Sequence, residues 1–167
     1  MTSHSFRVDR ATERDVPLIL RLIKELSVYE KLAHEVAATE EELRRTLFGP
    51  HPAAEVLIGY ANDEPAGFAL FFQNYSTFLA LPGIHLEDLF VVPAWRGHGL
   101  GRLLLTHLAA LAVERGCGRL EWTVLDWNAP AIGFYKSLGA RPLDDWTIFR
   151  VTGESLRALA TSRSRPS

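Results

Sequence analysis

Phe90-Val91-Val92-Pro93-Ala94-Trp95-Arg96-Gly97-His98-Gly99-Leu100-Gly101-Arg102 runs from the end of an apolar strand, through a proline, into three alternating glycines that open a helix. Such a loop presents successive backbone N–H groups beside the positive end of a helix dipole, which favours a phosphate or pyrophosphate. The spacing narrows the choice. No Lys-Ser/Thr pair closes it as in a P-loop, and Arg102 stands where a dinucleotide fingerprint needs its third glycine, so neither common nucleotide fold fits. Taken alone, the glycines read more readily as a turn that relieves backbone strain. Their neighbours decide between the two.

Upstream, Phe6 to Arg10 reads as a short strand. Val16, Ile19, Leu20, Ile23 and Leu26 then recur at helical spacing after Thr12. Thr39 with Glu42 three positions on forms a capping box for a second helix through Leu47, stopped by Gly49-Pro50. Glu55 to Ala61 and Ala66 to Phe72 are strand-like runs either side of the turn Asn62-Asp63-Glu64-Pro65, so they should pair antiparallel. A third strand covers Ile84 to Val92. Downstream of the loop, Leu104, Leu108 and Leu111 mark a helix up to Gly116. Leu120 to Leu125 then reads as a strand, Ala129 to Leu138 as a helix ended by Gly139, and Trp146 to Val151 as a last strand. The order β-α-α-β-β-β-α-β-α-β places helices around one mixed α/β sheet. Residues 1–160 form a single domain on this reading, with 161–167 a mobile tail.

The chain has 167 residues, 47% of them hydrophobic and 23% charged, with a net charge of -2. That is enough apolar material for one well-formed core, and no disorder signature is present. The near-neutral charge gives no global reason to bind nucleic acid or an anionic membrane. No apolar run approaches a membrane span or a signal peptide, so a cytoplasmic location is expected. One cysteine, Cys117, cannot form an internal disulfide, and no Cys/His spacing implies a metal.

Arg96-Gly97-His98-Gly99-Leu100-Gly101 matches the Arg/Gln-x-x-Gly-x-Gly/Ala signature of the GNAT acyltransferases. Ile23-Lys24-Glu25-Leu26, Tyr29-Glu30, Leu86-Glu87-Asp88, Phe90-Val91-Val92, Trp127-Asn128-Ala129-Pro130 and Phe134-Tyr135-Lys136 follow in an order that resembles the diamine (spermidine/spermine) N-acetyltransferases, over Phe6 to Leu159. The resemblance implies a GNAT-type fold, a mixed but mostly antiparallel sheet flanked by helices, and a homodimer. It also implies direct transfer of acetyl from acetyl-CoA to a primary amine of a small molecule: a diamine, a polyamine or a lysine-like amino acid. Transfer to a protein N-terminus or an antibiotic amine, or a non-catalytic acyl-CoA-binding module, are the alternatives.

An alkylammonium with a pKa of about 10.4 must lose a proton before it can attack. Glu87 is the candidate acceptor, because Glu87-Asp88 puts two acids inside an otherwise apolar strand, where carboxylates are expensive unless paired or useful. Strand alternation sends the two to opposite faces unless a bulge intervenes, so Asp88 reads as a structural, ion-paired or loop-capping carboxylate. The resemblance makes Tyr135 the general acid for the departing thiolate. It places Leu89, Phe90 and Val91 against the acyl-pantetheine arm by their main chain, and Arg96, Gly97, His98, Gly99, Leu100, Gly101 and Arg102 on the pyrophosphate. Asn128 should cap its helix and touch the cosubstrate. Tyr29 and Glu30, with Glu87, would meet the acceptor, while Lys31 and His34 make that region less acidic than a long polyamine requires. His98 and His107 read as loop and helix-surface residues, and Cys117 as a turn residue.

Overall fold

The computed structural model describes residues 4–162. Two compact units divide the chain, Met1–Thr123 and Val124–Ser167. The first holds a five-stranded sheet, β1 (Phe6–Arg10), β2 (Glu55–Ala61), β3 (Glu64–Ser76), β4 (Leu81–Val91) and β5 (Leu120–Trp122), in sequential order. The pairings from β1 to β4 are antiparallel, and β4–β5 is parallel. The expected mixed α/β architecture is therefore present. The β2–β3 turn is tighter than its polar run implies: only Asn62 and Asp63 lie outside the strands, both at positive φ (50° and 67°), the conformation that suits a two-residue hairpin.

Two helices cover one face. Asp15 accepts the Thr12 N–H at 2.7 Å, and Pro17 sits in the first turn of α1 (Val16–Tyr29). The helix buries Val16, Ile19, Leu22 and Leu26, so the inward stripe runs through Leu22, with Leu20 and Ile23 at its flanks. Beside it, Thr39 accepts the Glu42 N–H at 3.2 Å and starts α2 (Glu40–Phe48) as anticipated. Leu43 and Leu47 join the α1 residues against Val56, Ile58, Phe68 and Phe90 of the sheet. α3 (Leu100–Glu114) buries Leu100, Leu104, Leu105 and Leu108. Fully burying each such leucine contributes roughly 1.5–3 kcal/mol.

The second unit departs from expectation. α4 (Ala129–Ser137) forms, but residues 146–151 make no strand, and Trp146, Ile148 and Phe149 are exposed, Phe149 at 91%. A period-two pattern yields a strand only where a ladder partner exists, and none of the described residues pairs with this segment. The strand expected at 120–125 likewise stops at Trp122, since β4 pairs with β5 only over Ile84–Leu86. Thr161, the first residue of the expected tail, closes α5 (Gly153–Thr161), and 163–167 lie outside the described residues.

Candidate active site

Three structural accidents of the first unit converge on one pocket. The first is the end of α1, where Lys31 adopts a left-handed conformation (φ 62°), its N–H donates to Val28 O at 3.1 Å and the Leu32 N–H to Ser27 O at 2.8 Å. This double bond pattern turns the chain sharply and leaves Glu30 at the helix terminus. The second is the connection to α2, which contributes Glu35, Val36, Ala37 and Ala38. The third is a register shift in β4: Leu70 pairs with Asp88 but Phe71 with Leu86, so Glu87 is an extra residue without a partner. A bulge of this kind turns two consecutive side chains towards one face. Glu87 and Asp88 accordingly both line a pocket of about 450 Å³ with Glu30, Glu35, Ile23 and Leu26. Lys31 and His34 are not part of its lining, and His34 lies 3.3 Å from the Glu35 carboxylate.

The electrostatics follow from this crowding. Burial pushes the Asp88 carboxyl up to about 7, and the neighbouring charges of Glu87 and Glu30 add to the shift. Burial also raises Glu30. No lysine or arginine lines the pocket. The structural role expected for Asp88 therefore has no counterpart: among the described residues it has no cationic partner. Glu87 is more exposed, at 52% of its side chain, and its Oε2 lies 3.7 Å from His85 Nε2. Asp88, read from the sequence as structural, and His85, which the sequence pattern did not bring forward, both join the site. A histidine two positions before the acidic pair in a strand was the available signal, whereas the bulge that gathers the carboxylates leaves no mark in a period of two.

On the same strand, the Val92 N–H donates to Ala66 O at 2.9 Å. Alternation then gives Phe90 main-chain groups that face β3, while those of Leu89 and Val91 face the other edge, where β5 no longer pairs. Of the three residues expected to offer main-chain bonds, Leu89 and Val91 have them on the open side. The Val91 carbonyl there accepts from Arg96 Nε at 2.8 Å. The Arg96 guanidinium lies over the Tyr29 ring, 4.3 Å from its centroid, and 5.4 Å from that of Phe90. Arg96 and Tyr29 thus tie the glycine loop to the end of α1.

Gly97 and Gly99 both have positive φ, 76° and 100°, and a β-carbon at either would meet nothing within 4 Å. Backbone strain and an open approach therefore both favour glycine here. The N–H groups of Leu100, Gly101 and Arg102 occupy the first turn of α3 and have no carbonyl four residues back within the helix; Leu103 is the first to bond, to Gly99 O at 3.0 Å. Leu100 itself is buried, so only its main chain is available to a ligand. His98 is exposed with Nδ1 2.9 Å from the Arg96 carbonyl, and its ring lies within 6 Å of those of His4 and Trp95, centroid to centroid. His107 is on the α3 surface, as expected. These features fit a bulky anion with an extended arm: a clear approach over two glycines, unpaired donors at a helix start and an open strand edge beside them.

In the second unit, Asn128 is buried and its Oδ1 accepts the Ala131 N–H at 3.4 Å, which begins α4 with Pro130 in the first turn. Tyr135 is half-buried on α4 with its ring beside Phe134.

Residues 20–140 match the model of the acetyltransferase (GNAT) family, and the chain belongs to that family. It is an acetyl-CoA-dependent N-acetyltransferase. Among its relatives, the L-ornithine N5-acetyltransferase of Arabidopsis thaliana is 35% identical, with 92% of this chain and 87% of that protein covered. The thialysine N-epsilon-acetyltransferase of Sus scrofa is 40% identical over 93% of this chain and 98% of its own. An integron cassette protein from the mobile metagenome of V. cholerae superposes with a TM-score of 0.79 at 31% identity, covering 95% of this chain and 99% of its own. No helix among the described residues is long and apolar enough to cross a membrane.

Proposed function

We propose that the acceptor is a short primary amine carrying a second cationic nitrogen, a diamine or a lysine-like amino acid, acetylated directly from acetyl-CoA. The observation that carries this reading is the pocket in which the β4 bulge brings Glu87 and Asp88 together with Glu30, without a lysine or arginine in the lining. A dication neutralises what is otherwise a repulsive cluster. The relatives named for ornithine and thialysine support the same acceptor class.

In this reading the glycine loop from Arg96 to Arg102, the main-chain groups of Leu89 and the Val91 N–H hold the cosubstrate, whose thioester supplies an activated acetyl group. Glu87 takes the amine proton directly or through water, leaving a neutral nitrogen. Asp88 and Glu30 hold the second ammonium. Tyr135 supplies the proton for the departing thiolate, and Asn128 contacts the cosubstrate. The chain works as a homodimer in a reducing compartment, a reading supported by its exposed apolar side chains and its single cysteine.

Coenzyme A release measured across a panel of amines tests the assignment. Short diamines or lysine-like amino acids should give a higher kcat/KM than spermine, and Glu30→Gln should raise KM selectively for dicationic acceptors. Preference for spermine, or insensitivity of every acceptor to Glu30→Gln, would remove it.

A further inference from the structure

His85 stands outside every role described so far, yet it is placed by three neighbours at the foot of the bulge. Its ring stacks on Phe72 of β3, with centroids 5.0 Å apart and planes tilted by 30°. Its Nε2 is at ion-pair distance from Glu87, 3.7 Å, and its side chain is 21% exposed, so water reaches it. Across the β4–β5 ladder its register partner is Glu121. That carboxylate is already engaged, accepting from Asn74 Nδ2 at 2.6 Å and lying 3.4 Å from Arg119 Nε. Among the described residues Glu87 is the carboxylate at ion-pair distance from His85, and by the bulge it also faces the acceptor pocket.

The chemistry can use such a neighbour. A carboxylate that has taken a proton from an ammonium must lose it before the next turnover, and Asp88 and Glu30, engaged with the second ammonium, are not free to take it. We infer that His85 is a positioning residue acting through Glu87, steering its carboxylate towards the acceptor and then accepting its proton. This rests on Glu87 as the proton acceptor. The amine N–H bond breaks as a carboxyl O–H forms on Glu87. That O–H then breaks as Nε2–H forms on neutral His85, and the imidazolium releases its proton to water. The ring stack on Phe72 fixes the imidazole while the exposed Glu87 side chain swings between amine and ring.

Single-turnover rates with a short diamine, together with steady-state kcat and KM, test the inference. His85→Phe keeps the stack on Phe72 and removes the proton acceptor. Its single-turnover rate and kcat should fall about tenfold with KM for both substrates within about twofold of the parent. His85→Ala should fall similarly and recover in part with added imidazole. In a Glu87→Gln background, His85→Phe should cause no further loss, since the two act as one unit. Parental rates in His85→Phe, or an undiminished further loss in the Glu87→Gln background, would overturn the role of His85 alone. Parental rates in Glu87→Gln would instead overturn the proton acceptor itself, and this inference with it. Circular dichroism of each variant separates loss of fold from loss of relay.

Discussion

Asp88 shows how far a single residue departs from what its neighbours in sequence imply. Its carboxyl titrates near 7 in the folded chain, against an ordinary value of 3.8, because burial and the charges of Glu87 and Glu30 oppose ionisation. The unfolded chain therefore releases this proton first as pH rises. Stability drains away between about pH 4 and pH 7 and the full penalty stands above pH 7. Asp88→Asn should thus stabilise the free protein at pH 8 by roughly 1–3 kcal/mol and leave stability at pH 3 almost unchanged. Thermal denaturation at the two pH values measures this, and an equal shift at both would refute the electrostatic origin. At this scale much was legible: Glu30 and Glu87 were visible as candidates, and both line the pocket. Asp88 was visible but read as structural, and His85 was not visible, because the side chain that each neighbours depends on the pairing of β3 with β4 rather than on its own sequence context.

Local rules served best where an element is closed by its own residues. The hairpin, the Thr39 cap, the Asn128 cap and the positive-φ glycines are all decided within a few positions; the caps form as expected and the hairpin differs only in a tighter turn. They failed where a partner must be supplied from elsewhere. Trp146 to Val151 has a strand's alternation but no ladder, and the chain after Trp122 leaves β4 although its apolar residues continue. The glycine loop gives the test at this scale. Gly99→Val imposes a branched side chain on a backbone at φ 100°, beside N–H groups that have no partner in the helix. Acetyl-CoA affinity should fall by at least tenfold, with a loss of stability of about 1–2 kcal/mol. Calorimetric titration and denaturant melts separate the two, and undiminished affinity in a folded variant would relieve the loop of its cradle role.

Across the molecule, apolar surface is distributed unevenly. The first unit buries Leu22, Leu104, Phe68 and Phe71 but exposes Phe78, Leu79 and Leu81, whereas Leu143, Trp146, Ile148, Phe149, Leu156 and Leu159 of the second are all exposed. Exposed apolar side chains in this number fit the proposed homodimer. Sedimentation should therefore report about twice the 18.7 kDa of the chain, and the double variant Ile148→Glu/Phe149→Glu should shift it towards a single chain. A monomeric parent at micromolar concentration would contradict the homodimer.

The unpaired residue of β4 also has an evolutionary reading. In the gene it amounts to one codon: removing Glu87 would let Phe71–Leu86 and Leu70–Asp88 follow one another in an uninterrupted ladder, with every other pairing of the sheet retained. Selection for folding alone would not notice its loss. A lineage can thus acquire or discard the proposed proton acceptor by a single in-frame insertion or deletion, and the sheet around it is no record of whether the enzyme still works.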